Sequence, residues 1–198
     1  MRASTKTIAG SAVLGALVVV LDHALKWSGL KIPFPIFPAL RFDLNGIPVV
    51  MALLLYGPYS GTVTSAVVFL SISYRDPVSA LMKSHAEFTT ILGMMPFYTS
   101  PHRWVKGAAI VAGIATRVAV MTAANYYLLP AFGVRTTEAI AAILPFIAAF
   151  NVAAGALSAL GGYSIYEALA RRIPSLEKRL GREGAVAPSQ RSPLREAR

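Results

Sequence analysis

Polar side chains set inside apolar blocks are the chemistry this chain offers. Lys83, Ser84, His85 and Glu87 cluster in one stretch, Arg117 stands alone in another, and Asn125 and Asn151 stand singly in two more. Lys83 and Glu87 are four apart, so on a helix they share a face and can neutralise each other. That pair either satisfies only itself or turns its charges to a ligand. Each asparagine presents a donor and an acceptor suited to the edge of a polar heterocycle, or equally to joining neighbouring helices. Arg117 needs a helix-end carbonyl, a buried acid or a phosphate-bearing ligand, and the sequence singles out none. Arg41, Asp43 and Asn45 enter from a loop at the same expected level. Tyr126, Tyr127, Phe88 and Phe150 adjoin these positions and can stack on a flat ring, although aromatic residues near a membrane interface also serve as anchors.

Other chemistries are missing their parts. The nine acidic residues are scattered, so no aspartate cluster is available to hold Mg²⁺ for lipid-headgroup transfer. Ser84 and His85 are sequence neighbours that cannot face each other along a helix, which removes a serine–histidine nucleophile. His23, His85 and His102 fall in different segments and make no metal set, and with no cysteine there is no thiolate site. The reading is therefore a non-enzyme without a resident cofactor.

The elements that must position these groups follow from composition. Of 198 residues, 55% are hydrophobic and only 14% charged, and the mean hydropathy is +0.57. A soluble domain carries about 25% charged residues, so the chain reads as an integral membrane protein. Its net charge of +10 is spread over chain ends and loops, which is the usage of a membrane protein and not of a nucleic-acid binder. The basic start and apolar run Ile8–Leu21 resemble a signal peptide, but Asp22, His23 and Lys26 follow without a small-residue cleavage site, so Thr7–Leu25 is taken as helix 1. Proline, glycine and charge punctuation gives five more segments: Ile47–Tyr56, Gly61–Ser73, Val78–Met95, Lys106–Leu129 and Glu138–Leu169. The second and third are separate because Tyr56-Gly-Pro-Tyr-Ser-Gly61 has the residues of a tight reversal.

The expected fold is thus an all-α, six-helix transmembrane bundle over residues 1–180, with a disordered basic tail over 181–198. Between helices 1 and 2, three prolines in Lys31–Pro38 rule out a helix and give an ordered loop or lid, Ile32–Ala39. Counting Arg2, Lys6, Arg103, Lys106 and the cluster from Arg171 against Lys26, Lys31, Arg41, Arg75 and Arg135 places both termini in the cytoplasm, in a plasma membrane. The polar groups of segments 4 to 6 then converge on a pocket that opens outward. On helix 1, Ala12 and Ala16, with Ser11 and Gly15 one step earlier, make a small-residue face for another helix, inside the bundle or on a partner.

These residues also fit a known pattern. Arg41-Phe-Asp-Leu-Asn-Gly-Ile-Pro-Val-Val50 with Leu55-Tyr-Gly-Pro-Tyr-Ser-Gly61 resembles the substrate-binding (S) components of energy-coupling factor (ECF) transporters, particularly the riboflavin-type family. Asn125-Tyr-Tyr-Leu-Leu-Pro130, Pro145 through Phe150-Asn151, and Ala12-x-x-x-Ala16 follow in the same order over about residues 8–178. The resemblance implies a vitamin-capture protein that binds riboflavin, or a related vitamin or precursor, from outside. It implies partners as well: a transmembrane coupling subunit docking at Ala12 and Ala16 and, through it, two ABC ATPases, within membrane lipid. Its ligand residues carry over to Asn125, Asn151 and Glu87. Where the family has a lysine one turn after the helix 6 asparagine, this chain has Ala154, and the lead into helix 4 is Leu81-Met-Lys-Ser-His85 in place of a Gly/Thr-rich stretch. A scaffold or assembly protein without a small-molecule ligand is the competing class.

Overall fold

Proline and glycine set the helix boundaries. Pro58 and Pro77 open two helices, where the missing N–H has no helical acceptor to lose and the ring pre-sets φ. Gly57, at φ 88°, is the only residue between the second and third helices, a backbone conformation that residues with a Cβ rarely adopt. The computed structural model describes residues 5–36, 38, 40–100, 102–132 and 136–173. Over these run α1 (Thr5–Trp27), α2 (Gly46–Tyr56), α3 (Pro58–Ser73), α4 (Pro77–Met94), α5 (Arg103–Leu128) with a 3₁₀ turn at Leu129–Phe132, and α6 (Thr137–Arg172). The six expected segments are all present, and segments 2 and 3 are indeed two helices. Arg2, Arg135 and the tail from 181 lie outside the described residues.

The third segment starts three residues earlier than its apolar pattern suggests, because Pro58 nucleates it. The last is longer than expected, with Pro145 inside it and the Thr136 hydroxyl capping Ala139 N at 3.3 Å. Three helices, α1, Trp104–Leu128 of α5, and α6, are each long and apolar enough to cross a membrane. At 11 residues α2 is too short for that, and its burial explains why it need not be longer. It packs on α1, α3 and α6, and Val49, Val50, Ala52 and Leu53 have no exposed surface. A helix apolar on every side belongs inside a protein.

The remaining helices wrap around it, α3 against α1 and α4, α4 against α5, and α5 against α6. Their outward faces are apolar, as at Val13 and Val20 of α1, Leu70 of α3, Val111 of α5 and Leu160 of α6. The α1–α2 and α3–α4 connections approach the candidate site at one end of this bundle, together with Leu129 after α5. Where α2 crosses α6, the helices meet backbone to side chain. A Cβ placed on Gly162 would stand 2.7 Å from Val50 Cβ and 3.0 Å from the Ile47 carbonyl oxygen. Gly162→Ala should therefore force the crossing apart and destabilise the bundle by about 1–3 kcal/mol. Thermal unfolding in detergent measures this, and an unchanged melting temperature would show that the crossing relaxes freely.

Candidate ligand-binding site

A cavity of about 400 Å³ opens at that end, between the α1–α2 loop and α4, α5 and α6. The volume is within the range of small-molecule pockets. Helical spacing explains the lining. Met82, Lys83, Ala86 and Glu87 come from α4, Arg117, Met121 and Asn125 from α5, and Ile147, Phe150, Asn151, Ala154 and Ser158 from α6. On α5 and α6 these are positions three or four apart, one stripe per helix. Leu40, Arg41 and Asp43 of the loop and Asp76, Val78 and Ser79 at the start of α4 line its outer part.

The deep wall is polar and largely paired within itself, with Glu87 Oε2 buried and without a hydrogen-bond partner among the described residues. Arg117, only 4% exposed, donates from Nη1 to Glu87 Oε1 at 2.9 Å and to Thr90 Oγ1 at 3.3 Å. Its Nε donates to Asn151 Oδ1 at 3.2 Å. Glu87, 5% exposed, has its second oxygen against Gly46, the first residue of α2, where the helix N-terminus favours negative charge. Each asparagine ties its amide to its own helix, Asn151 Nδ2 to Ile147 O at 2.9 Å and Asn125 Nδ2 to Met121 O at 2.7 Å. Asn125 Oδ1 is left without a hydrogen bond among the described residues, and Arg117 Nη2 likewise.

Above this wall the described residues of the proline-rich segment fold back on themselves as a lid. Phe34 N donates to Leu40 O at 2.8 Å and Phe42 N to Ile32 O at 2.9 Å, bracketing an isolated antiparallel bridge from Pro33 to Arg41. This places Phe34 and Phe42 on Phe150 of α6, with ring centroids 5.6 and 4.9 Å away. Such contacts are worth about 0.5–1.5 kcal/mol each beyond burial. Asp43 forms an ion pair with Lys83 of α4, which joins the loop to the cavity wall.

A second buried carboxylate holds the rim. Asp22, near the end of α1, has no exposed surface and meets Lys31 Nζ at 2.5 Å, an Arg75 Nη2 and Asn45 Nδ2 at 3.4 Å. It thus joins α1, the lid's root, the start of α2 and the α3–α4 connection. Partial burial of Arg75 opposes its charge, but hydrogen bonds from it to Tyr74 Oη and Asp22 outweigh that and raise its pKa above the ordinary value. In the same connection the Ser79 hydroxyl and backbone N–H hold Asp76 below the usual carboxylate range and cap α4. This network leaves little trace in the sequence. Its only signal was an aspartate at a helix end beside His23, with its cations distant in sequence.

Several expectations are corrected by these contacts. Lys83 and Glu87 do not pair with each other. Asp43 and Arg117, from other elements, take them instead, because α4 turns Lys83 to the lid and Glu87 inward to α5. Tyr126 and Tyr127 are exposed and pack edge-to-face on each other at 5.3 Å, off the cavity, since each residue after Asn125 rotates a further 100° around α5. Phe88 joins the main apolar core and His85 is exposed. Asn45, 1% exposed, serves Asp22 and does not line the cavity. Asn125, Asn151, Glu87, Lys83, Asp43 and Phe150 are brought together there. On α1, Ser11 and Gly15 are buried, Ser11 against Ser60 at 2.5 Å, while Ala12 and Ala16 stay exposed. No group of three metal-binding side chains converges among the described residues.

No family model matches this chain, and no curated protein does. The structure is similar to a solved one described as the S component of a bacterial ECF transporter, with a TM-score of 0.72 over 85% of this chain and 97% of the other, at 22% identity. The chain shares the fold of that structure, and this site's own contacts are read from its residues. Within it, the Glu87–Arg117 pair is buried on both sides and therefore costly to break. Arg117→Met should destabilise the bundle by about 3–5 kcal/mol, and adding Glu87→Met should restore most of it. A double-mutant cycle of unfolding in detergent measures the coupling, and a coupling below about 0.5 kcal/mol would sink the assignment.

Proposed function

We propose that this chain is the substrate-capturing S component of an ECF-type importer, holding riboflavin or a related vitamin or precursor taken from outside the cell. The observation that carries the reading is the cavity itself: buried donors and acceptors on one wall, apolar and aromatic side chains on the others, and a hairpin lid at its mouth. Pockets of that make-up orient one flat, partly polar molecule. Met82, Met121, Ile147 and Phe150 would contact the ring faces, and Asn125 and the Arg117–Asn151 wall its polar edges. Arg117 supplies from α5 the cationic donor that Ala154 no longer supplies from α6. Lys83 and Asp43 would act through the lid.

In this reading both termini face the cytoplasm and the cavity end faces outward, in the plasma membrane. The exposed Ala12/Ala16 face, flanked by exposed Ile8, Val13 and Val20, would dock a transmembrane coupling subunit, behind which two ABC ATPases supply the energy. A scaffold without a ligand would have no use for a 400 Å³ cavity that hydrogen-bonding side chains line.

Protein purified in mild detergent should release a vitamin on denaturation, identified by absorbance and mass spectrometry. A yellow, flavin-bearing preparation is the expected result. A different vitamin would replace riboflavin, and an empty protein whose melting ignores a vitamin panel would return the scaffold reading. Asn151→Leu should weaken ligand binding at least tenfold, about 1.4 kcal/mol, while the bundle still folds. Ala16→Trp should abolish uptake into cells and leave binding in detergent intact; undiminished uptake would rule out that docking face.

A further inference from the structure

We infer that Glu87 sets the charge of the ligand: by neutralising Arg117 it makes the cavity select an uncharged molecule and reject its phosphorylated form. The inference deepens the vitamin-capture reading and rests on it for the kind of molecule, but the charge rule concerns the cavity alone. A solitary buried guanidinium is an anion site, because its planar donors match phosphate and its own desolvation is relieved by a negative partner. Here the partner is built in. Glu87 Oε1 takes Arg117 Nη1 at 2.9 Å, and both groups are more than nine-tenths buried.

The remaining charges of the lining also cancel. Arg41, Lys83 and Arg117 stand against Asp43, Asp76 and Glu87, and Lys83 is paired with Asp43. A phosphate monoester brings about −1.5 to −2 charge at pH 7. It would have to expel Glu87 from Arg117 or lie beside it, leaving a buried carboxylate without its cation. An uncharged ligand disturbs neither pair.

What the wall does leave open is hydrogen bonding. Arg117 Nη2 and Asn125 Oδ1 carry no hydrogen bond among the described residues, and both residues line the cavity. Their eight-residue separation on α5 corresponds to about 12 Å of helix rise. The ligand they fit is an elongated neutral heterocycle, with an acceptor such as a ring carbonyl at its deep end and a donor nearer the mouth.

The test uses inorganic phosphate first, so that it does not depend on the vitamin. Melting of the detergent-solubilised wild type should respond no more to phosphate than to chloride at equal ionic strength. Glu87→Gln, which frees Arg117, should gain phosphate stabilisation at least tenfold tighter in apparent affinity, and Glu87→Gln with Arg117→Gln should lose it. Wild-type stabilisation by phosphate that Arg117→Gln removes would overturn the inference, as would a folded Glu87→Gln that gains nothing. Should Glu87→Gln not fold, the wild-type comparison of riboflavin with riboflavin 5′-phosphate decides. Riboflavin binding at least tenfold tighter supports the rule, and equal affinity overturns it. If neither flavin binds, the riboflavin reading fails, and the wild-type phosphate response alone upholds or overturns the charge rule.

Discussion

A carboxylate carried into the interior of a membrane bundle must meet a cation there, and two such carboxylates organise this protein. Desolvating an unpaired ion costs several kcal/mol even after relaxation, and the outward faces of these helices are largely apolar. Asp22 and Glu87 are therefore each enclosed by partners from other elements. Glu87 draws α4, α5 and α6 together through Arg117 and Asn151. Asp22 gathers the end of α1, the root of the lid, the start of α2 and the α3–α4 connection. Where these two networks lie fixes where the cavity lies.

Packing does the complementary work. The short, apolar α2 fills the middle of the bundle, packed on α1, α3 and α6. The cavity is the space between α4, α5 and α6 that α2 does not fill, and the N-terminus of α2 lies against Glu87. Two backbone hydrogen bonds and a three-phenylalanine contact hold the described residues of the lid together, and the Lys83–Asp43 pair joins the loop to the wall. In the reading proposed above, a ligand entering beneath the lid would exchange water for apolar and aromatic surface and leave the buried ion pairs intact.

Much of this was legible along the chain. Six apolar blocks, the Gly57-Pro58 break and the three prolines of the lid each act locally, through hydropathy, φ and the loss of an N–H donor, so they could be placed without knowing what touches what. The same holds for Asn125, Asn151, Glu87 and Phe150 as residues that line one cavity, since polar groups on the inner faces of neighbouring helices converge. Bundle architecture is written in composition because a bilayer admits few solutions.

Pairing was not legible. Lys83 and Glu87 satisfy the i,i+4 rule and still take Asp43 and Arg117, 40 and 30 positions away, because helix rotation turns one toward the lid and the other toward α5. Arg117 had no visible partner, Asp22 no visible role, and Asn45 was read toward the ligand when it faces Asp22. Tyr126 adjoins Asn125 in sequence yet lies outside the cavity, one residue's turn around the helix. Sequence determines which residues are apolar, where helices break and which groups must find a partner. Only the tertiary structure decides which partner, since that depends on the rotation and crossing of helices, settled by side-chain packing between segments far apart in the chain.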